Sequence, residues 1–412
     1  MTDRILVTGA GLETCIGGDL TAFWRNLVEG HSGIRPLTSF DTSDFPLKIG
    51  GEIDLDPTAF MSRTDVRRTC RHHHLLMSAV SKACERLSLQ SGDVVALVVG
   101  SGGGGEAAMA TEFGRHAELL ATQGWRTFDR LAVTRILPNM AAAFVANKLR
   151  IHGPCLTITT ACASSTDAVG LAAALLRSRA ADVAIAAGVD AWLDPYSQGG
   201  FCKLQAVSTR PAAEAAIASR PFDRDRDGMV PAEGAGAVIL ERESTGRLRG
   251  EEVLGAVLGY GSSCDAEHPV MPRADGAIAA AAVQRALAQS GLGTDEIEHI
   301  NAHGTSTPLN DVAETRALKR VFGPRCAQIP VTANKSVLGH ASGACGILEM
   351  IATLLTIRAG VVPPTVNLDN PDPECDLDYT PLAAREHTIR AAITCNFGFG
   401  GQNAALTLAA AD

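Results

Sequence analysis

The sequence predicts an α/β protein made of two related halves. Three observations carry this. Short β-branched runs alternate with alanine-rich runs of helical length. Each strand-like run ends in glycine or another small residue. The alternation then restarts after the polar stretch ESTGRLRGEE. Length points the same way, since 412 residues is more than one ordinary compact domain and suits two cores of roughly 150–250 residues. The expected division is residues 1–250 and 251–412, although the two halves share little sequence.

In chain order, the expected strands of the first half are Ile5–Val7, Val94–Val99, Leu156–Ile158 and Val183–Ala186. Between them the helical pattern covers Leu20–Glu29, His74–Leu87 and Ala168–Arg177. In the second half, Val253–Leu258 reads as a strand and Gly276–Ser290 as a helix. Ile297–Asn301, Val331–Ala333 and Ala391–Cys395 read as strands feeding loops that carry His303, Lys335 and Phe397. Two glycine clusters read as tight turns with close backbone approach. Gly9-Ala10-Gly11 lacks the third glycine of a dinucleotide fingerprint, Thr14 standing in its place, and Gly102–Gly105 lacks the ending of a phosphate loop.

Composition excludes several function classes. Apolar residues make up 46% and charged residues 20% of the chain, which supports a large core and argues against disorder. Net charge is −9 with only 4% aromatics, and no basic run is long enough for a nucleic-acid face. The 11 cysteines include no C-x-x-C pair, so neither a disulfide framework nor a zinc site is expected. No apolar stretch reaches membrane-spanning length unbroken and the N-terminus lacks a signal layout, so the expectation is a soluble, cytoplasmic chain without membrane or metal.

Three segments carry chemistry-bearing residues among small neighbours. In TITTACASSTDAVG, Cys162 lies where a strand gives way to a helix. A helix N-terminus there favours the thiolate and lowers the cysteine pKa. In HINAHGTSTPLND, His303 enters a loop of Gly, Thr and Ser, and taken alone it reads more readily as a core histidine. In ANKSVLGHASGACGILE, Lys335 follows a strand and His340 sits beside a glycine before an apolar helix.

Together these segments resemble the β-ketoacyl synthases, condensing enzymes of the thiolase-like class. The resemblance covers nearly the whole chain and includes VTGAGLETCIG, FWRNLVEGHSGI, LPNMAAAFVANKLRIHGPCLTITTACASS, SRPFDRDRDGMVPAEGAGAVILE and NFGFGGQNAAL. It implies a thiolase-like fold, two α/β halves in a five-layered αβαβα sandwich, usually dimeric. It implies a catalytic set of Cys162 as acyl-accepting nucleophile, His303, His340 and a supporting Lys335 with Glu349 as its ion-pair partner. The backbone N–H groups of Cys162 and Phe399 would form the oxyanion hole. Gly103, Phe201 and Phe399 would line or gate the acyl pocket, and Thr305 and Thr307 would belong to the substrate loop.

The implied reaction is decarboxylative condensation of a Cys-bound acyl chain with malonyl-acyl carrier protein. It needs no cofactor, the substrates riding on a phosphopantetheine arm. The implied partners are an acyl carrier protein and either a second copy or a chain-length-factor-like subunit. The sequence departs from the commoner pattern at Ala232, before Glu233. Asp167 in STDAVG hints at a discrete polyketide system rather than fatty-acid synthesis. His72, His73 and His74 in RRTCRHHHLL point to different helix faces, so a helix surface is expected there and not a metal site. Arg63, Arg67, Arg68 and Arg71 form the densest basic patch for an acidic carrier. A non-catalytic chain-length factor would lack Cys162, and a coenzyme A thiolase would carry a second cysteine in place of one histidine.

Overall fold

The computed structural model describes residues 3–105, 109, 114, 117, 121–127, 129–245 and 253–411. The boundary expected between residues 250 and 251 falls outside the described residues.

Each half contributes five strands to the main sheet, in the same spatial order. In the first these are β1 (Ile5–Glu13), β2 (Val95–Gly100), β3 (Cys155–Ile158), β4 (Val183–Asp190) and β5 (Gly234–Arg242). In the second they are β6 (Gly255–Cys264), β7 (His299–Asn301), β8 (Val331–Thr332), β9 (Ala391–Gly398) and β10 (Gln402–Ala409). The first half runs β3-β2-β4-β5-β1 and the second β8-β7-β9-β10-β6. In both, the first three strands of that order are parallel and the last two pairings antiparallel. The two units join where Ile5–Val7 pairs antiparallel with Val257–Gly255, making one ten-stranded mixed sheet.

The helices that matter here are α1 (Arg71–Ala83), α2 (Met140–Leu149), α3 (Ser164–Arg177), α4 (Pro195–Lys203), α5 (Ala277–Ser290), α6 (Pro308–Phe322) and α7 (Cys345–Ala359). Helices α3 and α7 form the middle layer, α1 and α2 cover the first sheet outside, and α5 and α6 cover the second. The result is the expected five-layered αβαβα sandwich. Among the described residues, its buried apolar side chains fall into an inter-sheet cluster around Val169, Ile347 and Ile351, two outer clusters around Leu97 and Ile300, and a fourth around Ile49, Trp192 and Val230. A helix enclosed on all sides should be apolar all round, and α7 is: nearly every residue from Cys345 to Ile357 is buried. By length and composition Ser342–Ala359 is apolar enough to cross a membrane, yet it is 78% buried within the protein.

Small residues let the middle layer pack closely. A Cβ at Gly346 would lie 2.0 Å from Thr166 Oγ1, and one at Gly170 would lie 2.3 Å from the Tyr260 ring. Gly9 and Gly11 work the same way, but inside β1 and not in a turn. A Cβ at either would strike the carbonyl oxygen of Ala83 or Ala79 on α1, at 2.4 and 2.3 Å. The expected close approach is there; the expected turn is not, because the strand continues through a bulge to Glu13. Strand β9 likewise runs past Cys395, so Phe397 lies in the strand and not in a loop.

Candidate active site

Strand β3 ends at Ile158 and α3 begins at Ser164, leaving a short bend for Cys162. Ser164 shapes the bend: its hydroxyl donates to the Ala161 carbonyl at 2.6 Å and accepts the Thr160 N–H at 2.9 Å. Ala161 is forced to a φ of 48°, a left-handed conformation that costs a non-glycine residue about 1–2 kcal/mol and is typical of functional turns. Cys162 thus stands two residues before the start of a 14-residue helix. The expected lowering of its pKa is not found. Burial pushes the Cys162 thiol up to about 11, outweighing the Lys335 charge and the Phe399 N–H that pull it down. The resting group is a thiol, with its loop backbone pressed against the β9–β10 turn. A Cβ at Gly398 would meet Thr160 O at 3.0 Å and Cys162 N at 3.1 Å, so a side chain there would press on the Cys162 loop.

The two histidines are held in one tautomer by what surrounds Nδ1. Lys335 Nζ lies 3.2 Å and Asn396 Nδ2 3.3 Å from His303 Nδ1. An ammonium and an amide NH2 can only donate, so Nδ1 accepts and the proton resides on Nε2. Burial works against the charge on Lys335, yet the Glu349 carboxylate paired with it holds its pKa above the ordinary lysine value. Lys335 also donates to the His303 carbonyl at 2.6 Å, and Asn396 to Glu349 Oε2 at 2.6 Å. On the backbone side, the N–H groups of His303 and Gly304 both reach the Glu314 carboxylate, at 2.7 and 2.8 Å. His340 Nδ1 accepts the Ser342 N–H at 3.0 Å, with the Cys345 thiol 3.6 Å away. Its proton is therefore also on Nε2. Burial lowers His340 to about 3 and takes His303 well below its usual range, with Lys335 adding to both. Both rings are neutral donors at neutral pH.

One ligand-type atom from each of Cys162, His303 and His340 lies within 4.8 Å of the others. Such a trio is a familiar metal-ligand set, but both free Nε2 atoms carry protons, so the site presents two N–H donors to an anion. The three residues open into a cavity of about 520 Å³ that also reaches Gly103, Phe201, Thr305, Thr307 and Phe399. The rings of Phe201, from α4, and Phe399 lie near parallel at 6.0 Å. Thr305 and Thr307 share a hydroxyl hydrogen bond of 2.8 Å. Lys335 and Glu349 do not line the cavity; they sit behind His303.

Two sequence expectations fail here. Arg71 is not free for a carrier: its guanidinium grips both Glu233 oxygens at 2.5 Å, while Arg63, Arg67 and Arg68 remain exposed. His72 and His73 are not on a helix surface but buried at 3% and 2% exposure. His73 packs edge-on against the Phe144 ring of α2, centroids 5.9 Å apart. Four residues escaped the sequence reading. Asn396 fixes His303, and its signal was its place in the TCNFGFGG motif. Glu314 holds the His303 loop from α6. Asp190, at the end of β4, accepts from Ser101, Gly102, Gly103 and Gly343. It thereby joins the Gly103 loop to the turn behind His340. Trp192 lines the cavity; being one of only 3 tryptophans, directly after a buried strand, was its signal.

The fold and site define a thiol-dependent acyl-transfer enzyme with a preformed anion site, on a thiolase-like scaffold. The family models say which: residues 2–246 match the N-terminal domain of β-ketoacyl synthase and residues 254–369 its C-terminal domain, and the chain belongs to that family of condensing acyltransferases. It is 39% identical over 408 residues to 3-oxoacyl-[acyl-carrier-protein] synthase 2 of Synechocystis sp., covering 98% of this chain and 97% of that protein. It is 35% identical over 410 residues to the protein of the same name from Coxiella burnetii, covering 98% of each. Among solved structures, the ishigamide ketosynthase/chain length factor matches with a TM-score of 0.92 at 32% identity over the whole of both chains. A type II PKS ketosynthase, bound to the hexaketide and in complex with its acyl-carrier protein, matches with 0.91 at 29% identity, again over both whole chains.

Proposed function

We propose that this chain is an elongating ketosynthase that moves an acyl group from an acyl carrier protein to Cys162 and condenses it with a malonyl group. The observation that carries this is the convergence of the Cys162 sulfur with the histidine rings in one cavity. In the first step the Cys162 Sγ attacks the acyl thioester. The new Sγ–C bond forms, the carrier thioester C–S bond breaks, and the thiol proton leaves with the carrier thiolate. The Cys162 and Phe399 backbone N–H groups meet the oxyanion. The α3 N-terminus stabilises negative charge on sulfur as it develops, which matters more for a resting thiol than for a preformed thiolate.

In the second step the malonyl C–C bond breaks and CO₂ departs. Its bonding pair becomes an enolate, whose oxygen receives the two Nε2–H groups of His303 and His340. The enolate carbon attacks the acyl carbon, and collapse expels the Cys162 thiolate, which takes a proton from solvent water. Loss of CO₂ drives the sequence, so no cofactor is required. Thr305 and Thr307, hydroxyls in the same cavity, would hold the phosphopantetheine arm.

The carrier would dock on the exposed Arg63, Arg67 and Arg68, offset from an otherwise acidic chain. A second copy or a chain-length-factor-like subunit would complete the assembly, in line with the ketosynthase/chain length factor among the matching structures. The cytoplasm is the expected compartment, and all eleven cysteines are free. Asp167 supports a discrete polyketide setting over fatty-acid synthesis. Intact-protein mass spectrometry after incubation with acyl-loaded carrier protein tests the reading. A mass increase equal to the acyl group, absent in Cys162→Ala, is expected; an unmodified wild-type protein would contradict it.

A further inference from the structure

The cavity has an exposed mouth and a buried end. Leu309 and Met271 at the mouth are 57% and 48% exposed, whereas Trp192 is 6% exposed. Trp192 follows β4 by two residues and is anchored on three sides. Its indole N–H donates to the Ala232 carbonyl at 2.6 Å, and its own carbonyl accepts from Gln198 Nε2 at 2.8 Å. The Phe201 ring meets it edge-on with centroids 4.8 Å apart. Trp192 is part of a packed cluster that includes Leu37, Leu47, Ile49 and Val230, none of which lines the cavity. A wall so anchored and so backed cannot retreat from a ligand without breaking a buried hydrogen bond.

The position of this wall along the cavity decides what it reads. The Trp192 and His340 ring centroids are 6.1 Å apart, so the indole stands level with the reacting centre. The part of an acyl chain it meets is the first few carbons after the thioester carbonyl. We propose that Trp192 is a specificity-determining residue that admits narrow, unbranched acyl groups to Cys162 and rejects those branched or bulky near the carbonyl. This rests on the acyl-enzyme reading above and adds the substrate class to it. One misfitting methyl in a rigid pocket is worth roughly 10–200-fold in rate.

The test compares acylation of Cys162 by the N-acetylcysteamine thioesters of hexanoic, 2-methylhexanoic and benzoic acids. Intact mass gives the rates, and each is divided by the rate of the same thioester with glutathione to remove intrinsic reactivity. Wild type should prefer hexanoyl by about tenfold or more after this correction. Trp192→Ala should bring the ratio to within about twofold of unity, with Trp192→Phe between. A folded Trp192→Ala protein that keeps the wild-type ratio overturns the proposal, as does a wild type with no corrected preference. Should Trp192→Ala fail to fold by circular dichroism, Trp192→Phe and Trp192→Leu decide by the same ratio. No acylation of wild type by any thioester or by acyl-loaded carrier is a different result. It removes the acyl-enzyme reading, and this proposal with it.

Discussion

The two halves use one strand order for different work. At the exit of the second strand, the first half offers Gly102 and Gly103, while the second offers His303. At the exit of the third, the first half gives Cys162 and α3, and the second gives Lys335, His340 and α7. At the exit of the fourth, Asp190 and Trp192 stand opposite Asn396 and Phe399. The first half thus supplies the reactive sulfur and the space beside it. The second supplies a buried ion-paired network, Lys335–Glu349 with Asn396, that sets the donors. The shared strand order brings the same three strand ends of each half around one cavity. Covalent chemistry and oxyanion chemistry could then be divided between them, with each half's side chains tuned for one task.

That division can be broken from the second half first. Lys335→Met leaves Glu349 buried without its cation and His303 Nδ1 with the Asn396 amide as its remaining donor. Removing one partner of such a pair costs roughly 3–5 kcal/mol. Urea denaturation should show that loss, and Lys335→Met with Glu349→Leu should recover part of it. A single variant as stable as wild type would mean that the pair does not organise the half. His303→Ala or His340→Ala should each lower malonyl decarboxylation about 10²-fold or more, the scale for one preorganised donor. The double variant should lose less than the product of the two, because both donors serve one oxygen. Unchanged release of labelled CO₂ from either single variant would contradict the role.

The first half is sharpened by Gly103→Met. A methionine in the cavity wall should oppose long acyl chains by about 1–3 kcal/mol of overpacking, leaving short chains the better substrates. Equal acylation of Cys162 by long and short chains in that variant would show that Gly103 does not face the chain. In the same loop it is Gly104, with a φ of 61°, that takes the left-handed conformation. The smallest effect is expected at the surface. Arg67→Glu with Arg68→Glu should raise the apparent KM for carrier-borne substrate several-fold and weaken its salt dependence. An unchanged salt profile would move the docking site elsewhere.

Much of this was legible in the sequence because it is local. Cys162, His303 and His340 each sit among small residues at the end of a strand pattern, and that pattern survives in one dimension. Strand ends were less legible. The alternation behind β1 and β4 stops being distinctive where alanine and glycine take over, so both strands run several residues beyond their apolar cores. What could not be read was distance-dependent. The thiol pKa is set by how deeply Cys162 is buried, which the helix-terminus argument leaves out. Arg71 looked like its neighbours Arg67 and Arg68 until Glu233, 162 positions away, was brought against it. Asn396 and Asp190 likewise act through partners distant in sequence, whereas Glu314 holds its own neighbourhood, reaching back to His303 and Gly304 from α6.

The central claim is that acyl transfer belongs to Cys162 and decarboxylation to the two histidines, so the two activities should separate. Cys162→Ala should be measured with acyl-loaded and malonyl-loaded carrier protein, following labelled CO₂ and β-ketoacyl product in the same reaction. CO₂ release should persist in measurable part while product formation falls to background. Elongation by Cys162→Ala at near the wild-type rate would contradict the account, and so would loss of CO₂ release together with product in a variant that remains folded.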